Sequence, residues 1–118
     1  MLSFSPQHKV YLAVQAIDFR RGIDGVFAVC KNIFLLDPYS GAYFIFRNRR
    51  CSAVKILAYD SQGFWLCHKR LSKGTFRNWP TAEHSLLTLS SLQLQVLLQN
   101  GNPAVITQES PWRPLKNE

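Results

Sequence analysis

Eight cations stand between positions 47 and 77: Arg47, Arg49, Arg50, Lys55, Lys69, Arg70, Lys73 and Arg77. Asp60 is the sole acid of that stretch, so the segment carries +7, equal to the net charge of the whole chain. Phe46, Tyr59, Phe64, Trp65, Phe76 and Trp79 interleave with these cations. Cations for phosphates and rings for unstacked bases are the two ingredients of a sequence-independent nucleic-acid surface. Period-two alternation in a half-buried sheet also separates a basic wet face from an aromatic core face. Residue types alone leave both readings open.

The other reactive side chains do not assemble into catalytic or metal chemistry. Two-metal phosphoryl transfer needs several carboxylates converging on ions about 4 Å apart. Here Asp18 and Asp24 flank a helix start, and Asp37 and Asp60 fall in turn sequences, where capping accounts for them. Asp18 and Asp24 could also form a half-buried ion-pair cluster with Arg20 and Arg21. His8, His68 and His84 lack the HxxxH or HxH spacing of a metal site. Cys30, Cys51 and Cys67 are odd in number and form no CxxC, so they read as reduced thiols. Cys51 lies beside Arg50, and its thiol is expected to be somewhat acidified. No histidine accompanies it to make a nucleophile, and no GxxxxGK phosphate loop is present. The expectation is a non-enzyme with no catalytic residue, metal, cofactor or small-molecule substrate.

The elements that must position the cations follow from periodicity. With 118 residues, 47% apolar and 18% charged, the chain is long enough for one folded domain. Lys9–Val14 reads as a strand. Ile23, Val26, Phe27, Cys30, Ile33 and Phe34 recur at helical steps, with Asp18 as a candidate cap and the first turn delayed past Gly22. Asp37-Pro38-Tyr39-Ser40-Gly41 stops that helix. Ala42–Arg47, Ala53–Tyr59, Phe64–Arg70 and a short Thr75–Asn78 alternate as strands joined by tight turns. Ser90-Ser91-Leu92-Gln93 forms a capping box for a helix that ends at Asn100-Gly101, with Leu92, Val96 and Leu97 as its apolar edge. The expected fold is α+β: an antiparallel β-meander of about four to five strands packed against two helices, one sheet face being wet and basic. The domain spans 1–103, with an irregular tail over 104–118 in which Trp112 is the one candidate anchor. No apolar run reaches the roughly 20 residues of a membrane helix, and Met1-Leu2-Ser3-Phe4-Ser5-Pro6 lacks the charged and apolar pattern expected of a secretory signal. A cytoplasmic protein with no membrane partner is expected.

Four ordered blocks carry a resemblance. Asp18-Phe19-Arg20-Arg21-Gly22-Ile23-Asp24-Gly25 resembles the D-x-R-[KR]-G-x-D-G signature of the Orf2-like accessory transposition proteins (TnpB) of the insertion-sequence 66 family. Phe46–Arg50 with Val54–Leu57 is similar to its F-x-[GN]-R-R…[LV]-K-[IV]-L block. Tyr59–Leu66, Lys69–Leu71, Gly74–Phe76 and Trp79-Pro80 follow in order, and Leu87-Thr88 with Leu92–Leu98 fit the closing helix. Cys51 and Ala53 depart from the pattern, in which Gly or Arg and then Arg are common. The resemblance implies a small protein of a mobile element, assisting a separate transposase without being a nuclease. It implies that Asp18, Arg20, Arg21, Gly22, Asp24 and Gly25 are structural or partner-binding. It supplies a role but no mechanism.

Charge and resemblance together lead to a non-catalytic factor for DNA transposition. It would hold DNA, or a DNA–transposase complex, through the eight mid-chain cations, with weak sequence specificity. The alternative is a protein–protein adaptor that docks on the transposase and never touches nucleic acid. RNA binding is a third version, and it requires Phe64, Trp65 and Phe76 to be exposed for stacking.

Overall fold

The computed structural model describes residues 8–105. The readings of the first residues and of the tail around Trp112 lie outside the described residues. In chain order the elements are β1 (Val10–Ala13), α1 (Ile23–Ala28), a π-helical turn (Val29–Ile33), a 3-10 turn (Pro38–Ser40), β2 (Tyr43–Arg47), β3 (Ala53–Tyr59), β4 (Phe64–Arg70), β5 (Leu86–Leu89) and α2 (Ser91–Leu98).

The fold is α+β, with five strands in the order β4-β3-β2-β1-β5. The sheet is mixed, which corrects the expected antiparallel meander. β1 and β2 are parallel, with Val10 opposite Tyr43 and Leu12 opposite Ile45. Helix α1 lies in the connection between them, and a helical crossover returns the chain to the starting end of the sheet, where a tight turn would reverse it. The hairpins β2–β3 and β3–β4 and the pair β1–β5 are antiparallel. Residues 75–78 are not a strand. Phe76 is only 3% exposed, and its N–H donates to the Cys51 carbonyl at 2.8 Å, so this segment folds over the sheet instead of extending it.

Neither sheet face is open. One carries Val10, Leu12, Tyr43, Ile45, Val54 and Ile56 and is covered by Leu94 and Leu97 of α2 together with Phe76. The other carries Phe44, Phe46 and Leu57 and is covered by Val26, Val29 and Cys30. A central sheet buried on both faces accounts for the nearly continuous apolar runs of β2 and β3.

Helix α1 starts at Ile23, past Gly22 as expected, but its cap position is Gly22 with no side-chain bond. Asp18 instead closes a turn further upstream, accepting the Arg20 N–H at 2.9 Å. After Ala28 the ladder widens to a π turn, with the Phe34 N–H on the Val29 carbonyl. The wider turn rotates Ile33 off the buried stripe, leaving it 66% exposed. Helix α2 has the full capping box: Ser90 Oγ accepts from Gln93 N–H and Gln93 Oε1 from Ser90 N–H. It ends with Asn100 at φ +65°, the Asn100 and Gly101 amides donating to Leu97 and Val96 carbonyls. That is the left-handed stop expected of Asn-Gly. Its buried residues are Ser91, Leu94 and Leu97, while Leu92 is exposed.

Candidate nucleic-acid interface

Strands β1, β2 and β4 run in one direction and β3 and β5 in the other. The C-terminal ends of three strands therefore share one end of the sheet, and each leads into a basic segment. β1 exits toward Asp18, Arg20 and Arg21. β2 exits into Asn48-Arg49-Arg50, and β4 ends at Arg70 ahead of Lys73 and Arg77. Bonds tie these exits together: Ile17 N–H to Arg47 O, Leu71 N–H to Ser52 O, and Phe76 N–H to Cys51 O. Arg20 and Arg49 line one cleft of about 300 Å³. Arg47 and Arg77 line another of about 360 Å³ with Cys51, Phe76 and Trp79.

The eight cations divide. Arg49, Arg50, Arg70, Lys73 and Arg77 are exposed, and among the described residues no carboxylate pairs with them, Arg20–Asp18 being the one ion pair. Arg47 is half-buried: its Nε donates to Val14 O at 3.1 Å and one Nη to Asn48 O and Arg49 O. Lys69 is exposed, but its Nζ donates to Leu98 O at the end of α2, where a cation opposes the helix dipole favourably. Lys55 is turned inward. It is 8% exposed, with Nζ donating to the carbonyls of Phe19 and Arg21, each at 2.8 Å, and lying 5.0 Å from the Phe19 ring centroid. The expectation that Lys55 faces phosphate is therefore corrected. The expected wet, basic sheet face is likewise replaced by a basic sheet end, because helices cover both faces.

Local structure holds these loops. Asn48 Oδ1 accepts from the Ser52 and Ala53 amides, closing the β2–β3 turn. Cys51 occupies left-handed backbone at φ +56° there, a conformation glycine takes more readily. Its thiol is pushed up by burial, which outweighs the pull of Arg47; the expected acidification does not occur. His68 is pushed down by burial and by Lys55 and Arg70, away from its cationic form.

The Asp18–Gly25 block forms no buried ion-pair cluster. Asp18 and Arg20 make an exposed bidentate pair, closest at 2.7 Å, and that guanidinium holds the Asp18 carboxyl far below its usual range. Arg21 is exposed, Asp24 lies in the first turn of α1, and Gly22 sits at its cap. Gly25 has a steric reason: a Cβ there would meet Arg21 Cβ at 2.8 Å.

The rings are mostly committed to packing. Phe64 contacts Phe27, Tyr39 and Tyr59, and Phe76 is buried. Trp65 is exposed, with its indole N–H on Asp60 Oδ2. The base-stacking RNA version loses the exposed Phe76 it required. Among the described residues no group of three metal-ligating side chains occurs, and no helix is long and apolar enough to cross a membrane.

Residues 8–107 match the family described as IS66 Orf2 like protein. The chain belongs to this family. The Orf2-like relatives include y4jC of Sinorhizobium fredii, 31% identical over 108 residues and 92% of each chain. A second, y4hO of the same organism, is 35% identical over 116 residues and 98% of each chain. Both are uncharacterised proteins. No solved structure matches the chain. Membership gives an accessory role in transposition, in a family not known as catalytic.

Proposed function

We propose that this Orf2-like chain is a non-catalytic accessory factor that binds DNA, alone or with the transposase, through the basic end of its sheet. The observation that carries the reading is the set Arg49, Arg50, Arg70, Lys73 and Arg77, exposed on loops and a strand end that hydrogen-bond to one another and free of carboxylate partners among the described residues. Arg47 and Lys69 add charge from beside it while holding backbone carbonyls, and Arg21 is exposed next to the Asp18 turn. Such a set recognises phosphates and reads no bases, so binding is backbone-directed and weakly specific.

A gel-shift titration at rising salt tests this. With about six engaged cations, affinity for duplex DNA falls about 10³-fold between 50 and 200 mM salt. The double substitution Arg49→Glu with Arg50→Glu lowers affinity at least about tenfold and flattens the salt slope. Affinity indifferent to salt, or unchanged in the double variant, overturns the reading. A transposase complex that survives nuclease treatment in that event would leave the adaptor role.

A further inference from the structure

Strand β4 closes one edge of the sheet, with no strand beyond it among the described residues. Two bonds, Asp60 N–H to Gly63 O and Leu71 N–H to Ser52 O, fix which β4 residues turn their backbone toward β3. By alternation, Trp65, Cys67 and Lys69 face β3. Phe64, Leu66, His68 and Arg70 turn their N–H and C=O groups outward, and among the described residues nothing pairs with them. This is a seven-residue edge of the kind that folded proteins cover or protect.

The order of side chains along that edge is self-complementary. Its first half is aromatic and apolar, Phe64-Trp65-Leu66, and its second half is His68-Lys69-Arg70, with Cys67 between. We infer that β4 pairs antiparallel with β4 of a second copy of this chain, with Cys67 opposite Cys67. That register matches outward backbone groups with outward backbone groups: Phe64 with Arg70 and Leu66 with His68, each twice. It also sets Lys69 of each copy against Trp65 of the other on one sheet face, and Arg70 against Phe64 on the other. Arg70 then meets a ring, a favourable pairing, and Lys69, its ammonium held on Leu98 O, lays its aliphatic stem beside Trp65. Trp65 is 44% exposed and offers its surface to that contact. Shifting the centre to Lys69 would oppose cation to cation, and so would a parallel arrangement, which destabilises a ladder. Shifting it to Trp65 would leave most of the edge unpaired. Centres on Leu66 or His68 would also match outward groups, but they place Lys69 beside Gly63 or Cys67 and pair fewer residues of the strand; the Cys67 centre alone pairs all seven and sets both Lys69 and Arg70 beside rings.

The register has a direct chemical reporter. Because Cys67 faces β3, the Cys67–Cys67 position is a non-hydrogen-bonded pair, in which Cα atoms lie about 4.5 Å apart, within the span of a disulfide. Sedimentation equilibrium of the full chain without nucleic acid, across about 1 to 300 µM, is expected to show concentration-dependent doubling of the 13.5 kDa mass. Mild oxidation with diamide is expected to trap that dimer as a Cys67–Cys67 disulfide, in which two thiols lose their protons and electrons to the diazene. The cross-link should vanish in Cys67→Ser and persist in Cys30→Ser and Cys51→Ser. His68→Pro removes an outward N–H and leaves the β3 ladder intact, so it should keep the far-UV spectrum and be monomeric. Trp65→Lys, which opposes Lys69 of the other copy, is a second disruptor should proline unfold the edge. A chain that stays monomeric over the whole range, a cross-link through another cysteine, or a dimer that survives both disruptors overturns the inference.

Discussion

Lys55 and Arg50 lie five residues apart and carry the same charge, yet their removal should affect different observables. Lys55→Met deletes two charge-assisted bonds, to Phe19 O and Arg21 O at 2.8 Å, and a ring contact at 5.0 Å. Each such bond contributes about 1.5–3 kcal/mol. Methionine retains the apolar stem and spares the desolvation of a buried ammonium, which offsets part of the loss. The net expectation is a destabilisation of about 2–3 kcal/mol, or roughly 10 °C in Tm for a domain of this size. Amide exchange should quicken over the segment between Ile17 and Gly22, whose carbonyls the lysine holds. The salt slope of DNA binding should stay within experimental scatter of the parent, because the ammonium does not reach solvent. Arg50→Met is the mirror case. Its guanidinium is exposed and has no partner among the described residues, so stability should change by less than about 0.5 kcal/mol while the slope loses about 0.9. Thermal melts and gel-shift titrations on the same preparations decide it. A Lys55→Met protein with unchanged Tm and a slope reduced by about one would refute the inward placement of Lys55.

Three further outcomes follow from particular residues. Asn100→Ala strains a residue at φ +65° and removes bonds to Arg77 N–H and Thr75 O, so chemical denaturation should show a loss of about 2–3 kcal/mol; Asn100→Gly, which keeps the backbone, should lose less. Burial pushes the Cys30 thiol up to about 12, so iodoacetamide at pH 7.5 should leave Cys30 unmodified in the native chain and label it only on unfolding, as read by peptide mass mapping. The Asp18 carboxyl is held low by Arg20; a depressed folded value stabilises above the unfolded value and is lost as pH falls through the folded one. Melts from pH 5 to pH 2 should therefore show a smaller acid loss in Asp18→Asn than in the parent chain.

What could be read in the residues was local. The capping box at Ser90–Gln93 and the stop at Asn100-Gly101 involve partners within a few positions, and both appear as the spacing dictates. The delayed start of α1 past Gly22 is of the same kind. Long-range facts were not legible. That β1 pairs parallel with β2 depends on where the crossover helix lands, which no periodicity in β1 encodes. The second covered face hides in the apolar runs of β2 and β3, where alternation and continuity look alike over five to seven residues. Phe76 sits in a stretch that alternates well enough to pass for a strand, and only its bond to Cys51 reveals a loop. The inward turn of Lys55 had one available signal: it stands mid-strand in Val54-Lys55-Ile56-Leu57, and a cation flanked by a buried strand must find acceptors.

The positions of the cations relative to the strand ends separate two tasks that composition merges. Arg47, Lys55 and Lys69 come one from each of β2, β3 and β4, and each donates to a carbonyl outside its own strand: Val14 after β1, Phe19 and Arg21 before α1, and Leu98 at the end of α2. These three fix the exits of neighbouring elements. Arg49, Arg50, Lys73 and Arg77 lie past the strand ends and are exposed; Arg47 also holds the first of these loops through Asn48 O and Arg49 O, and Asn100 holds the second through Arg77 N–H and Thr75 O. Concentrating like charges on rigid loops opposes folding by mutual repulsion, since spacings within a Debye length of about 10 Å are poorly screened at 0.1 M salt. Flexible loops would relieve that repulsion by spreading apart; pinning them keeps the charges together. Three cations spent on neighbouring carbonyls leave the exposed ones gathered at one end of the sheet, and the proposed docking of a polyanion rests on that gathering.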